Sequence, residues 1–241
     1  RLLATWLTTF VCLPVSAAEP DFKVFDQLLE KYVAPGEKQG MTVNLVDYTG
    51  LSRDPRFALL VEQIRAFDVN ELTSDDEKLA FYINAYNILT IQLILDNWPI
   101  KSIRDIGGLF KGPWDFVMLE NADGKLTLDD IEHKIIRPLG DPRIHFGIVC
   151  ASISCPKLQN EAFSNQNINR LLNMASKEFL ADTTKNNITT NSVELSKIFK
   201  WFTKDFKQEG SLIDFLNIYT DITIASDATI SFKDYNWGLN D

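Results

Sequence analysis

One long helix, predicted over residues 73–97, constrains the fold of this chain more than any other feature. Ser74 and Glu77 have the spacing of a capping box, in which each side chain satisfies a backbone N–H of the other. Apolar residues then recur at helical spacing until the Trp98-Pro99 step, where proline stops the helix. No other segment of the sequence predicts a helix as strongly.

Two amides, Asn84 and Asn87, stand on this otherwise apolar helix. A buried amide without hydrogen-bond partners is costly, so both side chains need a role. Either they bind a neighbouring loop, or they lie in a site and orient a catalytic group. Both interpretations stay open at the level of the sequence.

The rest of the chain predicts more helix than strand. Further helices are expected at residues 22–33, 54–67, 128–136, 160–181, 196–206 and 212–219. Short strands are expected at 41–46, 116–119, 125–128, 143–149 and 193–195. Because no internal repeat or Gly/Ser-rich linker divides the chain, we predict a single α+β domain, mainly helical, around a small and mostly antiparallel sheet.

Composition excludes several classes of protein. Of the 241 residues, 45% are apolar and 24% charged, which is ordinary globular composition. The formal net charge is −9 and no basic footprint is visible, so we expect no nucleic-acid partner. No apolar run approaches the roughly 20 residues that a membrane-spanning helix needs.

Residues 1–18 have the features of a secretory signal peptide. A basic first residue precedes an apolar segment over 2–15, and the small residues around Ala17 and Ala18 fit a cleavage site. We therefore expect a periplasmic or secreted protein with one globular domain over 19–241 and no membrane span after cleavage. The sequence does not indicate an oligomeric state.

Cysteine usage narrows the possible chemistry. Cys12 could end a lipoprotein signal, but the preceding Val11 is not the small residue expected there. If Cys12 leaves with the signal peptide, only Cys150 and Cys155 remain, in a compartment where thiols tend to pair.

Four residues form the densest cluster of reactive side chains. His133, His145, Cys150 and Cys155 lie within 23 residues and include both histidines of the sequence. Four interpretations compete: a cysteine nucleophile, a Cys150–Cys155 disulfide, a zinc-like metal site with non-standard spacing, and ordinary core packing. We predict no metal and no other cofactor.

The nucleophile interpretation favours Cys150. It follows the strand predicted over 143–149, at a small-residue turn whose backbone N–H groups near Ser152 and Ser154 could receive an oxyanion. A straight strand would place His145 roughly 16 Å from Cys150 on the opposite face.

His133 is therefore the favoured base, and His145 is the alternative if the chain turns back at Gly147. Glu132 or Asn87 would orient the imidazole.

Several motifs, in the same order along the chain, resemble the DUF547 family, a domain of unknown function. They span about 40–240 and comprise Val46-Asp47-Tyr48, Ala80-Phe81-Tyr82-Ile83-Asn84-Ala85-Tyr86-Asn87, Ile131-Glu132-His133, Arg143-Ile144-His145-Phe146, Cys150-Ala151-Ser152, Ser154-Cys155-Pro156, Leu195-Ser196-Lys197-Ile198-Phe199, Trp201-Phe202, Asp205-Phe206 and Tyr235-Asn236-Trp237.

The resemblance implies a fold similar to papain-like or transglutaminase-like cysteine hydrolases. It implies a site at Glu132, His133, His145 and Cys150. Plant-type members carry serine at the position of Cys155, which favours Cys150 as the nucleophile. Many relatives carry aspartate at the position of Asn236, so no role is transferred to that residue.

Together these observations predict a cysteine-nucleophile hydrolase of amide bonds. The expected substrate is a small peptide, a γ-glutamyl compound or a peptidoglycan-type amide. The alternative is a non-catalytic binding or scaffold domain in which the cysteines and histidines are structural.

Overall fold

The computed structural model describes residues 20–108, 110–121 and 124–241. The expected signal peptide at 1–18 lies outside these residues. The α-helices are α1 Phe22–Tyr32, α2 Tyr48–Leu51, α3 Pro55–Ala66, α4 Asp75–Asp96, α5 Leu128–Asp130, α6 Ile168–Ala181, α7 Ile198–Trp201, α8 Thr203–Phe206 and α9 Leu212–Tyr219. The strands are β1 Val33–Lys38, β2 Met41–Val46, β3 Val117–Asn121, β4 Gly124–Thr127, β5 Asn187–Ile188, β6 Ser192–Leu195 and β7 Thr229–Phe232.

Helix α4 is the centre of the larger apolar cluster. Its predicted capping box is present: the Glu77 N–H donates to Ser74 Oγ at 3.2 Å, and the Ser74 N–H donates to Glu77 Oε2 at 3.1 Å. Helices α2, α3, α5 and α6 all contact α4. Within the described part of the chain, α4 is long and apolar enough to cross a membrane, but most of that stretch is buried inside the protein. A buried core helix passes the same length and composition test, so this is weak evidence for a membrane span.

The strands form three small sheets. β1 and β2 make an antiparallel hairpin, in which Val33 pairs with Val46. Its turn is Gln39-Gly40, and both residues have positive φ, as tight hairpin turns require. β3 pairs antiparallel with β4, β5 pairs antiparallel with β6, and β6 pairs parallel with β7. The predicted α+β class with mostly antiparallel pairing is confirmed, with the pairing divided among these sheets.

A second apolar cluster is rich in phenylalanine. Phe146 contacts Phe179, Phe199, Phe206 and Phe215, with ring centroids 5.2–6.4 Å apart. Aromatic pairs in this range contribute stability beyond the area they bury. The cluster holds the residue after His145 against helices α7 to α9, and so fixes one wall of the site described below.

Two predicted elements are corrected, and one strand is found that the sequence did not predict. Residues 143–149 form no strand: Pro142–Phe146 is a 3₁₀ helix, capped by Asp141, which accepts from the Arg143 N–H at 2.9 Å. Proline in the first turn fits such a helix because its fixed φ is already helical. The helix predicted over 196–206 breaks at Phe202 into α7 and α8. Strand β1, which contains Pro35 and Gly36, was not predicted; proline is tolerated there because β1 pairs with β2 alone.

Candidate active site

The segment before Cys150 is held by Asn87 on α4. The Asn87 amide donates to Gly147 O at 2.9 Å and accepts from the Val149 N–H at 2.8 Å. Asn84 binds the backbone of Phe163 in the same two-sided way, at 2.8 and 2.9 Å. Both amides therefore join the helix to loops. This corrects the prediction that either one orients a catalytic group.

The turn after Cys150 is held by the end of the chain. Ala151 has φ +57°, a left-handed conformation uncommon outside glycine. The Ile153 N–H donates to Gly238 O at 2.8 Å, and the Ser154 N–H donates to Asn236 O at 3.2 Å. Because these two N–H groups are already engaged, they are not free to receive an oxyanion, whereas the Ser152 N–H is directed at Cys150, so an oxyanion role for it stays a prediction.

Three side chains surround the sulfur of Cys150. Cys155 Sγ lies 2.9 Å from Cys150 Sγ, Ser152 Oγ lies 3.1 Å away and Tyr235 Oη lies 3.3 Å away. Hydrogen bonds from Cys155, and then from Ser152 and Tyr235, lower the pKa of Cys150 to about 7 although burial opposes this. Near neutral pH a large fraction of Cys150 is therefore thiolate, the nucleophilic form.

Cys155 is a partner of Cys150 rather than a second nucleophile. Both cysteines are free, so the disulfide interpretation is not realised in this structure. Burial, together with the neighbouring Cys150, raises the pKa of Cys155. Cys155 thus keeps its proton and can donate it to the Cys150 thiolate, while its sulfur accepts from the Cys150 N–H at 2.9 Å.

His145 is paired with a carboxylate. Its Nε2 lies 2.7 Å from Asp205 Oδ2, and Arg137 donates two hydrogen bonds to the same carboxylate at 2.7 and 2.8 Å. Burial opposes ionisation of Asp205, but the hydrogen bonds from His145 and Arg137 hold its pKa well below the ordinary value. Burial also lowers the pKa of His145, which favours the neutral imidazole. Nε2 then carries the proton toward Asp205, and Nδ1 keeps a lone pair that can accept one.

His133 is less suited to act as a base. Arg137 Nη1 lies 3.0 Å from its Nδ1, and Asp129 Oδ1 lies 3.2 Å from its Nε2. Arginine can only donate, so Nδ1 accepts and Nε2–H faces the carboxylate. Both ring nitrogens are engaged. Among the described residues, neither histidine forms a hydrogen bond with Cys150.

Glu132 is buried with one oxygen unsatisfied. Tyr86 Oη donates to Glu132 Oε2 at 3.4 Å, whereas Oε1 has no hydrogen-bond partner among the described residues. Oε1 lies 4.0 Å from His133 Nδ1, too far to orient that ring by a hydrogen bond. Burial raises the pKa of Glu132 to about 7, with the Cys150 charge contributing. The π-helical turn Ile131–Ile136 places this side chain, as such turns often do at functional sites.

One cleft of about 280 Å³ brings these side chains together. The predicted site residues Glu132, His133, His145 and Cys150 all line it, together with Cys155. The structure adds Tyr235 beside the thiol and Asp205 behind His145. It also adds an aromatic wall formed by Trp114, Trp201, Tyr235 and Trp237. Within the described ranges, no group of three or more His, Cys, Asp or Glu side chains is arranged to hold a metal ion.

The fold and site define an α+β protein with a cysteine-centred cleft. Residues 69–180 match the family model described as "Protein of unknown function, DUF547", so the resemblance to that family is confirmed over this segment. The matched segment contains Glu132, both histidines and both cysteines of the cleft, but neither Asp205 nor Tyr235. No curated protein and no solved structure matches the chain, and the similarity to papain-like hydrolases therefore remains a prediction.

The raised pKa of Glu132 predicts how stability depends on pH. The carboxyl releases its proton near 4.5 in the unfolded chain but near 7 in the folded protein. Between these values the folded state binds more protons, so the free energy of unfolding falls as pH rises. This group should cost roughly 2–3 kcal/mol of stability between pH 5 and pH 8, and Glu132→Gln should remove that dependence. Chemical denaturation of both proteins at pH 5 and pH 8 measures it; parallel pH profiles would contradict the raised pKa.

Proposed function

We propose that the protein is a cysteine-nucleophile hydrolase of amide bonds. Cys150 is the nucleophile, His145 the general base and Asp205 the residue that orients the imidazole. The observation that carries the proposal is the environment of Cys150 Sγ. Three donors favour its thiolate in a cleft that also contains a carboxylate-paired histidine.

The reaction follows from this arrangement. The thiol proton of Cys150 passes to His145 Nδ1, and the sulfur attacks the amide carbonyl carbon. Tyr235 keeps its proton because burial raises its pKa, so its hydroxyl, 3.3 Å from Sγ, can donate to the developing oxyanion. The tetrahedral intermediate collapses to a thioester as His145 protonates the departing amine. His145 then takes a proton from water, the hydroxide attacks the thioester, and the acid and free thiolate are released.

The choice of His145 over His133 rests on the local backbone. Because Pro142–Phe146 is helical, His145 does not lie at the far end of a straight strand, and it lines the same cleft as Cys150. Its Nδ1 is the ring nitrogen turned away from Asp205, whereas both nitrogens of His133 are engaged. The substrate is a small peptide, a γ-glutamyl compound or a peptidoglycan-type amide, encountered in the periplasm or outside the cell.

The pH dependence of Cys150 alkylation tests this proposal. In a Cys155→Ser background, which isolates one thiol and keeps a hydroxyl donor, we expect the midpoint of the iodoacetamide rate to lie well below that of an ordinary cysteine. The pKa of an ordinary cysteine is about 8.5. Tyr235→Phe removes one donor and should move the midpoint up by about one pH unit. Rates across pH 5 to 10, read by mass spectrometry, give both midpoints.

Thiol counting on the unsubstituted protein, purified without reductant, is the control. Two free thiols in the folded range 20–241 agree with the structure. A midpoint near 8.5, or reaction of Cys150 only after denaturation, would contradict the proposal. That result would instead support the binding or scaffold alternative.

A further inference from the structure

The mechanism leaves one buried acid of the cleft unused. The Glu132 side chain is about 10% exposed and lines the cleft, yet its Oε1 accepts no hydrogen bond from the described residues. A buried polar atom without a partner costs free energy, and such atoms are rare in folded proteins. Oε1 is itself shielded from solvent, so a cation bound in the cleft would offset the negative charge of Glu132 without needing to contact this atom.

The charges around the cleft favour a cation. Asp115, Asp129 and Glu132 line it, whereas no lysine or arginine is among its described lining residues. The nearby Arg137 donates two hydrogen bonds to Asp205 and a third to His133, and its charge also lowers the pKa of Glu132 in part. In partly dry surroundings these carboxylates attract a positive charge more strongly than they would in water, because the attraction is less screened.

The aromatic wall of the cleft also favours a bound cation. Trp237 contacts Trp114 and Trp201, with ring centroids 5.7 and 5.6 Å apart, and Trp201 is 46% exposed. Tryptophan faces attract ammonium groups through the ring quadrupole. Arg104, which does not line the cleft, lies over the Trp237 ring at 5.4 Å, so this wall already contacts one cation.

We propose that the substrate amide carries a protonated amine, and that Glu132 binds this ammonium group beside the aromatic wall. The inference deepens the proposed function and rests on it. The substrate class is an aminoacyl amide whose amine is unblocked. Since the α-ammonium of such an amide is one carbon from the scissile carbonyl, a cleft of about 280 Å³ that contains both Glu132 and Cys150 can hold the two groups together. N-acylated amides lack the charge and bind poorly.

Matched thiol reagents test the proposal without a known substrate. The Cys150 thiolate attacks the sulfenyl sulfur of an alkyl methanethiosulfonate, forms a mixed disulfide and releases methanesulfinate. We would compare the 2-aminoethyl reagent, a cation, with the neutral 2-hydroxyethyl reagent at pH 8, in the Cys155→Ser background. Both rates are normalised to those of a small free thiol. Glu132→Gln should lower the cation-to-neutral rate ratio about tenfold.

Glu30→Gln is the matched control. Glu30 is exposed on α1, outside the cleft lining, and its substitution changes the net charge by the same amount. We expect it to leave the rate ratio within about twofold, since exposed charges are strongly screened. A ratio that Glu132→Gln leaves unchanged, or that Glu30→Gln lowers equally, would overturn the proposal.

A binding measurement separates this inference from the proposed function. In Cys150→Ser, quenching of tryptophan fluorescence should report alaninamide binding at pH 7, with N-acetylalaninamide at least tenfold weaker. Glu132→Gln in that background should remove the difference. If Cys150 proves unreactive while alaninamide still binds selectively, the hydrolase proposal fails and ammonium recognition stands. Equal binding of the two amides would overturn ammonium recognition whatever the thiol does.

Discussion

The Cys150→Ser variant is expected to lose amide hydrolysis by at least about 10³-fold while remaining folded. A serine hydroxyl is not ionised near neutral pH, so the hydrogen bonds that favour the Cys150 thiolate cannot produce an equivalent nucleophile. The substitution keeps the volume close, so its melting temperature should stay within about 3 °C of the parent. Release of aminomethylcoumarin from a panel of aminoacyl and γ-glutamyl aminomethylcoumarin amides measures the turnover.

Cys155→Ser is the matched comparison for this experiment. It replaces a neighbouring thiol by the same hydroxyl but keeps Cys150, so we expect it to retain at least a tenth of the parental turnover. If the parent turns over no member of the panel and Cys150→Ser unfolds many degrees lower, the cysteine cluster is structural. The scaffold alternative then replaces the hydrolase.

Among the variants proposed here, Asn87→Ala is expected to lower the free energy of unfolding most. Its side chain is 3% exposed and satisfies both Gly147 O and the Val149 N–H. Truncation leaves two buried backbone groups without partners, at a combined cost of about 3 kcal/mol. For a domain of this size, that corresponds to a fall in melting temperature of roughly 6–12 °C. Calorimetry gives the value, and Cys150 alkylation should slow in the folded variant because the segment before the thiol is less firmly held.

Gln92→Ala provides the reference on the same helix. The Gln92 side chain pairs with Asp96 at an exposed position, so we expect a change within about 0.5 kcal/mol. If Asn87→Ala costs no more than Gln92→Ala, Asn87 does not hold the segment that carries the nucleophile.

Local signals explain what the sequence could predict of the fold. The capping box of α4 and the apolar spacing after it are encoded within 25 residues, and α9 was predicted with its observed bounds. The strand prediction over 143–149 is wrong because it rests only on an apolar run. Short apolar runs do not separate a strand from a helical turn, and here Asp141 and Pro142 start a 3₁₀ helix.

The candidate site was predictable where its residues cluster in sequence. Glu132, both histidines and both cysteines were found because they are reactive types close together. Asp205 lies 60 residues from His145, and Tyr235 lies 85 residues from Cys150, so no local pattern connects them. The family motifs containing Asp205 and Tyr235 were the signal that could have revealed them. Only the structure shows that Asp205 contacts His145 and that Tyr235 contacts Cys150.

Residues 235–238 contact Cys150 and the turn that follows it, and these contacts have a consequence for biosynthesis. Tyr235 supplies a donor to the thiol, and Asn236 and Gly238 accept hydrogen bonds from the turn, yet all three are translated more than 80 residues after Cys150. A nascent chain that ends before residue 235 contains Cys150 with Cys155 and Ser152, but lacks the Tyr235 donor and the two acceptors that hold the turn. The full set of contacts around the Cys150 thiol therefore forms only after residues 235–238 have been translated.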